Sequence, residues 1–275
     1  MKEIRNIQTH LTRRQALGRL ATLLAAGCWP GCLYAEASSD IGEFSFVAAN
    51  DFHHASPECD VWFERLFRQI ATHPRLAFCI GLGDLADKGL PESIAAIRRI
   101  SVQARTPFYS VPGNHDKDVE ATTRIYAEIF PGRLNYAWTH EGWQFVAIDS
   151  TDGKAWKETR IQPKTLDWLD ATLPALDRTR PTVLFTHFPL AHEVFMCPLN
   201  AEDVLARFVN FNLRGVFTGH FHGQTSVMHG GVALVTNACC SRVQKNHDGT
   251  TRKGYWLCQT LKTGTISRSF VEFTG

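Results

Sequence analysis

From residue 43 onward the chain alternates short apolar runs with longer stretches whose apolar positions recur at helical spacing. The run 44–49 (FSFVAA) leads into a helical 57–72, and 76–82 (LAFCIGL) into a helical 91–104. Pro91 suits the first turn of that second helix, where its missing N–H would have no partner anyway. The run 107–111 precedes a helical 119–130. Residues 135–139 and 143–148 (WQFVAI) pattern as a hairpin, followed by a helical 163–172. Then 182–185 leads to a helical 201–212, and 215–218 follows. The C-terminal part is strand-like at 231–236, 255–261 and 266–273, the last two joined through Thr263-Gly264. Buried runs separated by helices predict an α/β fold, and the terminal strands add a mixed or second sheet. No repeat, low-complexity tract or linker breaks residues 43–275, which predicts a single domain.

The first 40 residues carry a different pattern. Lys2, Arg5, Arg13, Arg14 and Arg19 precede an uncharged stretch from Leu20 to Ala35. A basic front, a mildly apolar middle and small residues at the end are the three regions of a secretory signal. The adjacent arginines of Thr12-Arg13-Arg14-Gln15-Ala16-Leu17 resemble a twin-arginine export signal, and a middle rich in Ala and Gly suits that route. Ala35-Glu36-Ala37 offers a small-x-small cleavage point. Ala25-Ala26-Gly27-Cys28 is a poorer lipoprotein box, since Ala stands where Leu is usual. The expectation is a signal over 1–37 and one domain over 38–275, delivered to the periplasm or outside the cell by the twin-arginine translocation machinery. That route carries folded proteins, so a metal would be loaded in the cytoplasm, away from ions that raw affinity favours.

Composition then narrows the chemistry. The 275 residues carry a formal charge of +2, which excludes the strongly basic footprint of a dedicated nucleic-acid binder. With 44% hydrophobic and 20% charged residues, a disordered chain is excluded as well. What stands out is 12 His and 7 Trp, and histidine at that level directs the search to metal-ligand spacing. Of eight Cys, six (Cys59, Cys79, Cys197, Cys239, Cys240 and Cys258) lie beyond the signal, with no CxxC pair, so a thiolate zinc site is not expected. Cys79 and Cys258 fall in apolar runs where a buried thiol fits. Folding in a reducing compartment makes disulfides unnecessary to the fold.

Five short motifs follow the predicted strands. They are Asp51-Phe52-His53, Gly83-Asp84, Gly113-Asn114-His115-Asp116, His187, and Gly219-His220-Phe221-His222. In open α/β sheets, side chains beyond the carboxyl ends of strands converge on one crevice. Residues two apart point the same way in an extended chain, which aims Asp51 with His53 and His220 with His222. The yield is two carboxylates, one amide oxygen and four imidazoles in one place, with His115 close by. Mixed nitrogen and oxygen donors of this kind suit transition metals better than Ca or Mg.

This series resembles the calcineurin-like metallophosphoesterase superfamily over residues 43 to 240, and its spacing is most similar to the class III cyclic-nucleotide phosphodiesterase branch. The resemblance implies a four-layer α/β/β/α sandwich of two mixed sheets, with a dinuclear metal site at the strand C-terminal ends. It makes Asp51, His53, Asp84 and His222 ligands of one ion, with Asp84 bridging to a second held by Asn114, His187 and His220. The ions implied are two divalent or mixed-valence transition metals, Fe, Mn or Zn. By the same resemblance His115 works beside the scissile phosphate and Asp116 orients it. Purple acid phosphatases place a Tyr three positions after the bridging Asp; here that position is Asp87, so a purple charge-transfer band is not expected. No role attaches to Asn50.

The implied chemistry is hydrolysis of a small phosphate ester. Two cations cancel the repulsion between an anionic centre and an anionic nucleophile, and lower the pKa of a bridging water toward about 7. His115 then protonates the departing alkoxide as a general acid. Two other readings compete: a catalytically silent metal-binding or protein-interaction module on the same scaffold, and a nuclease. The intact ligand set argues against the first, and the near-neutral charge against the second. His54 and His192 lie near ligand motifs but read as ordinary histidines, as do His140 and His229 in predicted turns. The stretch 150–165 carries Lys154, Lys157 and Arg160 around Trp156, which fits either a phosphate-binding and base-stacking loop or a solvated one. The span from Asp116 to His187 already houses a helix, a hairpin and another helix, leaving no room for a separate cap domain.

Overall fold

Strand β1 (Ser45–Ala49) is buried along its whole length, and its side chains divide by alternation between two different cores. In this computed structural model, which describes residues 41–275, Phe46 and Ala48 face a second sheet while Val47 and Ala49 face helices. That two-sided burial is why the run reads as continuously apolar instead of alternating. The same division recurs in β2 (Leu76–Leu82), where Phe78 and Ile80 take one side and Cys79 the other.

The first sheet runs β11-β10-β1-β2-β3, with β3 at Phe108–Val111, β10 at Gly254–Thr260 and β11 at Ile266–Glu272. Strands β1, β2 and β3 are parallel, while β10 and β11 add an antiparallel hairpin at one edge. The second sheet runs β4-β5-β6-β7-β9-β8. Its strands are β4 (Tyr136–His140), β5 (Trp143–Ala147), β6 (Thr182–Phe185), β7 (Leu213–Phe217), β8 (Thr225–His229) and β9 (Val232–Thr236). Its four central strands are parallel, and β4 and β8 close the edges antiparallel.

Helices α1 (Asp60–Ile70), α2 (Pro91–Ile100) and α3 (Arg124–Ile129) cover the outside of the first sheet, and α4 (Pro163–Thr172) and α5 (Ala201–Arg207) cover the second. The result is the expected four-layer α/β/β/α sandwich. Between the sheets lies a chain of rings: Phe46 stacks on Phe78 at 5.1 Å, Phe78 meets Phe145 edge-on at 5.0 Å, and Phe185 lies 5.8 Å from Phe217. Asp40–Gly275 forms one compact unit. The proposed signal lies outside the described residues. The six thiols beyond it are free, and all but Cys197 are buried.

Four details depart from the sequence reading. Strand β8 was not anticipated. The helix expected over 119–130 begins only at Arg124, because the Asp118 carboxylate accepts the N–H groups of Glu120 and Thr122 and holds a turn there. The helix expected over 201–212 stops at Arg207, and His140 and His229 end strands instead of sitting in turns.

Candidate metal centre

All five motifs leave the carboxyl ends of parallel strands, two of which also bring backbone into tight contact. Gly113 sits where a Cβ would lie 2.0 Å from Asp84 Oδ1, and at Gly83, with φ of 83°, one would lie 2.4 Å from His187 Nδ1. Only glycine lets these loops approach the ligand side chains so closely.

The donors gather in two groups that share one residue. Asp51, His53, Asp84 and His222 form the first, and Asp84, His187 and His220 the second; within each, one ligand atom per residue lies within 4.8 Å of the others. The Asp84 carboxylate spans both: Oδ2 lies 3.5 Å from His53 Nε2, and Oδ1 lies 3.5 Å from His187 Nε2. Asn114 Oδ1 joins the second group, 3.2 Å from His187 Nε2. In the first group, His222 Nε2 is 3.2 Å from both Asp51 Oδ1 and His53 Nε2.

The chemistry of this donor set calls for cations. His187 donates Nδ1–H to the Leu82 carbonyl at 2.8 Å, and His220 donates Nε2–H to the Trp156 carbonyl at 2.8 Å. Each neutral ring therefore turns a lone pair inward, and the two inward nitrogens stand 3.1 Å apart. Two facing lone pairs repel unless a positive charge lies at the site. His222 is fixed likewise by the Lys245 carbonyl at 3.0 Å. Such outer hydrogen bonds choose the tautomer of metal-binding histidines.

The backbone carries the cost of this crowding. Asp51, His53, Asp84, His220 and His222 all take left-handed φ values between 45° and 63°. Non-glycine residues rarely adopt that conformation, and it costs of order 1–3 kcal/mol each when held by surrounding structure. Electrostatics point the same way. Burial alone would raise the Asp51 carboxyl, but His222, His187 and His53 around it hold it far below the usual range. Burial opposes charge on His222, yet the Asp51 carboxylate raises its imidazole to about 11. Burial and neighbouring His187 push His220 down to about 3.

His115 lines the same pocket as His53, Asp84, His220 and His222. Its Nδ1 donates to the Asp87 carbonyl at 2.7 Å, leaving Nε2 as the nitrogen available for proton transfer. Burial opposes charge on this ring, but the Asp84 carboxylate and the Asp87 carbonyl raise its pKa above the ordinary value. The Asp116 carboxylate accepts the N–H groups of Ala86 at 2.8 Å and Gly113 at 2.9 Å, which ties two ligand loops together, and it is among the groups that raise the pKa of the His115 ring. Burial, with Asp84 close by, raises Asp116 itself to about 7.

The calcineurin-like phosphoesterase family model matches residues 44–224. The chain belongs to that family. Among relatives of this phosphoesterase, a probable cyclic nucleotide phosphodiesterase of Psychrobacter arcticus is 27% identical, covering 85% of this chain and 91% of its own. A 3',5'-cyclic-nucleotide phosphodiesterase of Nostoc is 25% identical over 54% of this chain and 57% of its own. Among solved structures, a purple acid phosphatase from yellow lupin superposes with a TM-score of 0.62 at 11% identity, over 85% of this chain and 52% of the other. The GAP50 anchor of the Plasmodium inner membrane complex gives 0.58 at 13% identity, over 84% of each chain. These two likenesses concern the fold.

Several residues of the phosphoesterase site were not singled out from sequence. Asn50 donates its amide to Asp51 Oδ2 at 2.6 Å and to the Asn237 carbonyl at 3.2 Å. Asp87 lies 3.3 Å from His53 Nδ1, accepts from Gln244 at 2.8 Å, and is lowered to about 2, chiefly by the His53 hydrogen bond. His247 packs against the His222 ring at 5.1 Å. Asn50 and Asp87 stand one and three positions from ligands, but their residue types do not announce a bond to a ligand side chain; Gln244 and His247 come from a distant loop and leave no short motif. His54, by contrast, pairs with Asp60 at 2.7 Å and is structural. His192 Nδ1 lies 4.0 Å from Cys197 Sγ.

Proposed function

We propose that the chain is an exported, dinuclear metal-dependent phosphodiesterase acting on small phosphate diesters. The observation that carries this reading is the Asp84 carboxylate reaching toward both donor groups with separate oxygens. The names of the two relatives support a diester, and specifically a cyclic nucleotide, as substrate. Two ions of Fe, Mn or Zn, when bound, supply charge neutralisation and water activation.

The protein's own residues do the rest. Asp51, His53, Asp84 and His222 would hold one ion; Asp84, Asn114, His187 and His220 the other. The carbonyls of Leu82, Trp156 and Lys245 keep their rings in the right tautomer. His115 Nε2 delivers a proton to the leaving oxygen, and the Asp87 carbonyl fixes the ring that carries it. Asp116 keeps the loops of Asp84 and His115 in register. With Asp87 in place of a tyrosine, no tyrosinate band colours the protein.

A periplasmic or extracellular location is part of the proposal, supported by the charge pattern of residues 1–37 and the Arg13-Arg14 pair. Replacing both arginines by lysine and following the protein by cell fractionation tests it; retention in the cytoplasm is expected. For the reaction, bis-p-nitrophenyl phosphate is compared with p-nitrophenyl phosphate on metal-loaded protein. Faster diester cleavage that chelation abolishes is expected. Metal without turnover on any ester would favour a silent binding module.

A further inference from the structure

The phosphoesterase reading leaves one exposed feature at the pocket without a task. Trp156 lines the pocket with His53, Asp84, His115, His220 and His222, yet it remains 49% exposed. Its backbone carbonyl accepts the proton of His220 Nε2 at 2.8 Å, so the residue is anchored directly to a ligand ring. Phe195, 60% exposed, stands edge-on to the indole at 6.3 Å, and Met196 lines the pocket beside them. Lys157 Nζ lies 4.9 Å from the centre of the indole. The loops are joined as well: Leu199 N–H donates to the Thr159 carbonyl at 2.9 Å.

A large aromatic left half in water beside a catalytic pocket, with Lys157 over it, is a surface on which a flat group can stack. Gln244 and His247 add hydrogen-bonding groups to the pocket wall. An adjoining cavity of about 340 Å³, which shares His115, is lined by Lys88, Lys154, Asp87 and Asn114. Hydrogen-bonding side chains and cations around one aromatic platform suit a planar heterocycle with polar edges; an alkyl chain would leave Gln244, His247 and the lysines unmatched. A nucleotide separates its phosphate from its base by one sugar, which matches a phosphate site and an indole sharing one pocket.

We infer that Trp156 is a specificity-determining residue that stacks the nucleobase of a nucleotide substrate whose phosphate lies at the metal centre. This rests on the phosphoesterase reading for the position of the phosphate, but it can be tested without turnover. The metal-loaded full chain is titrated calorimetrically with three non-hydrolysable ligands: adenosine 5′-phosphonate, ribose 5-phosphonate and hexylphosphonate. The wild type should bind the adenosine compound about tenfold or more tightly than the ribose compound, the scale of one base–aromatic stack. In Trp156→Ala that ratio should collapse toward one, and Trp156→Phe should restore part of it. Metal content, measured alongside, should not change, because His220 is held by a backbone carbonyl that the substitution keeps. Phe195→Ala, which leaves the indole in place, should reduce the ratio less.

Equal binding of the adenosine and ribose ligands by the wild type overturns the inference. So does an unchanged ratio in Trp156→Ala, or a loss for hexylphosphonate as large as that for adenosine, which would mark a merely apolar wall. If the chain cleaves no ester at all, the phosphoesterase reading fails, and the calorimetric ratio still decides the role of Trp156.

Discussion

Between the sheets, Phe46, Phe78, Phe145, Phe185 and Phe217 stand on ordinary strand backbone and fill one another's gaps with no polar group to satisfy. A few residues further along the same strands, Asp51, Asp84, His220 and His222 take left-handed backbone and crowd like partners together. The first region is arranged so that every local preference agrees with the fold. The second departs from those preferences and persists because the first holds it in place. Loss of function and loss of stability should therefore separate along this line, and substitutions can show whether they do.

His115→Ala should give the largest effect on function. Turnover of an alkyl diester is expected to fall by about 10²–10⁴-fold, with less loss on a p-nitrophenyl ester, whose leaving group needs no proton. Elemental analysis should find the metal content intact. Phe78→Ala probes the other region: unfolding in denaturant should show a loss of about 3–5 kcal/mol, with the metal bound per folded chain unchanged. Coupled loss of both properties in either variant would erase the distinction between the regions.

Asp87→Ala sharpens the comparison from the site side. Removing the carboxylate beside His53 Nδ1 should weaken metal binding roughly 10- to 100-fold by titration while barely altering apoprotein stability. The smallest effect is expected far from the site. His73 hydrogen-bonds the Tyr255 hydroxyl at 2.8 Å, and burial lowers its pKa below the ordinary value. The folded state thus favours the neutral ring, so its contribution to stability is complete above the ordinary histidine value. That contribution is lost as pH falls through the lowered one. His73→Gln should flatten the acid side of a Tm-against-pH curve and leave metal binding alone.

How far the sequence displayed all this depended on whether a feature was written in residue types. The parallel strands were legible because both faces are buried, giving unbroken runs such as LAFCIGL. The ligands were legible because each follows such a run within a short polar motif. Strand β8 (TSVMH) was not, since an edge strand with mostly exposed side chains has no apolar signature; the Gly230-Gly231 turn ahead of 232–236 was the available signal. The carbonyls of Leu82, Asp87, Trp156 and Lys245 orient four histidines through atoms that every residue carries, so no residue type announces them. The role of Asp116 beside His115 came from the family resemblance; its hydrogen bonds to the backbone N–H groups of Ala86 and Gly113 are not encoded in residue types.

Asp84 should organise two ions, one on each carboxylate oxygen. Elemental analysis of the purified full chain beside Asp84→Ala is the direct measurement. Two transition-metal ions per wild-type chain, and loss of bound metal in the variant, are the predicted result. A wild type saturating at one ion, or a variant that keeps two, would contradict it.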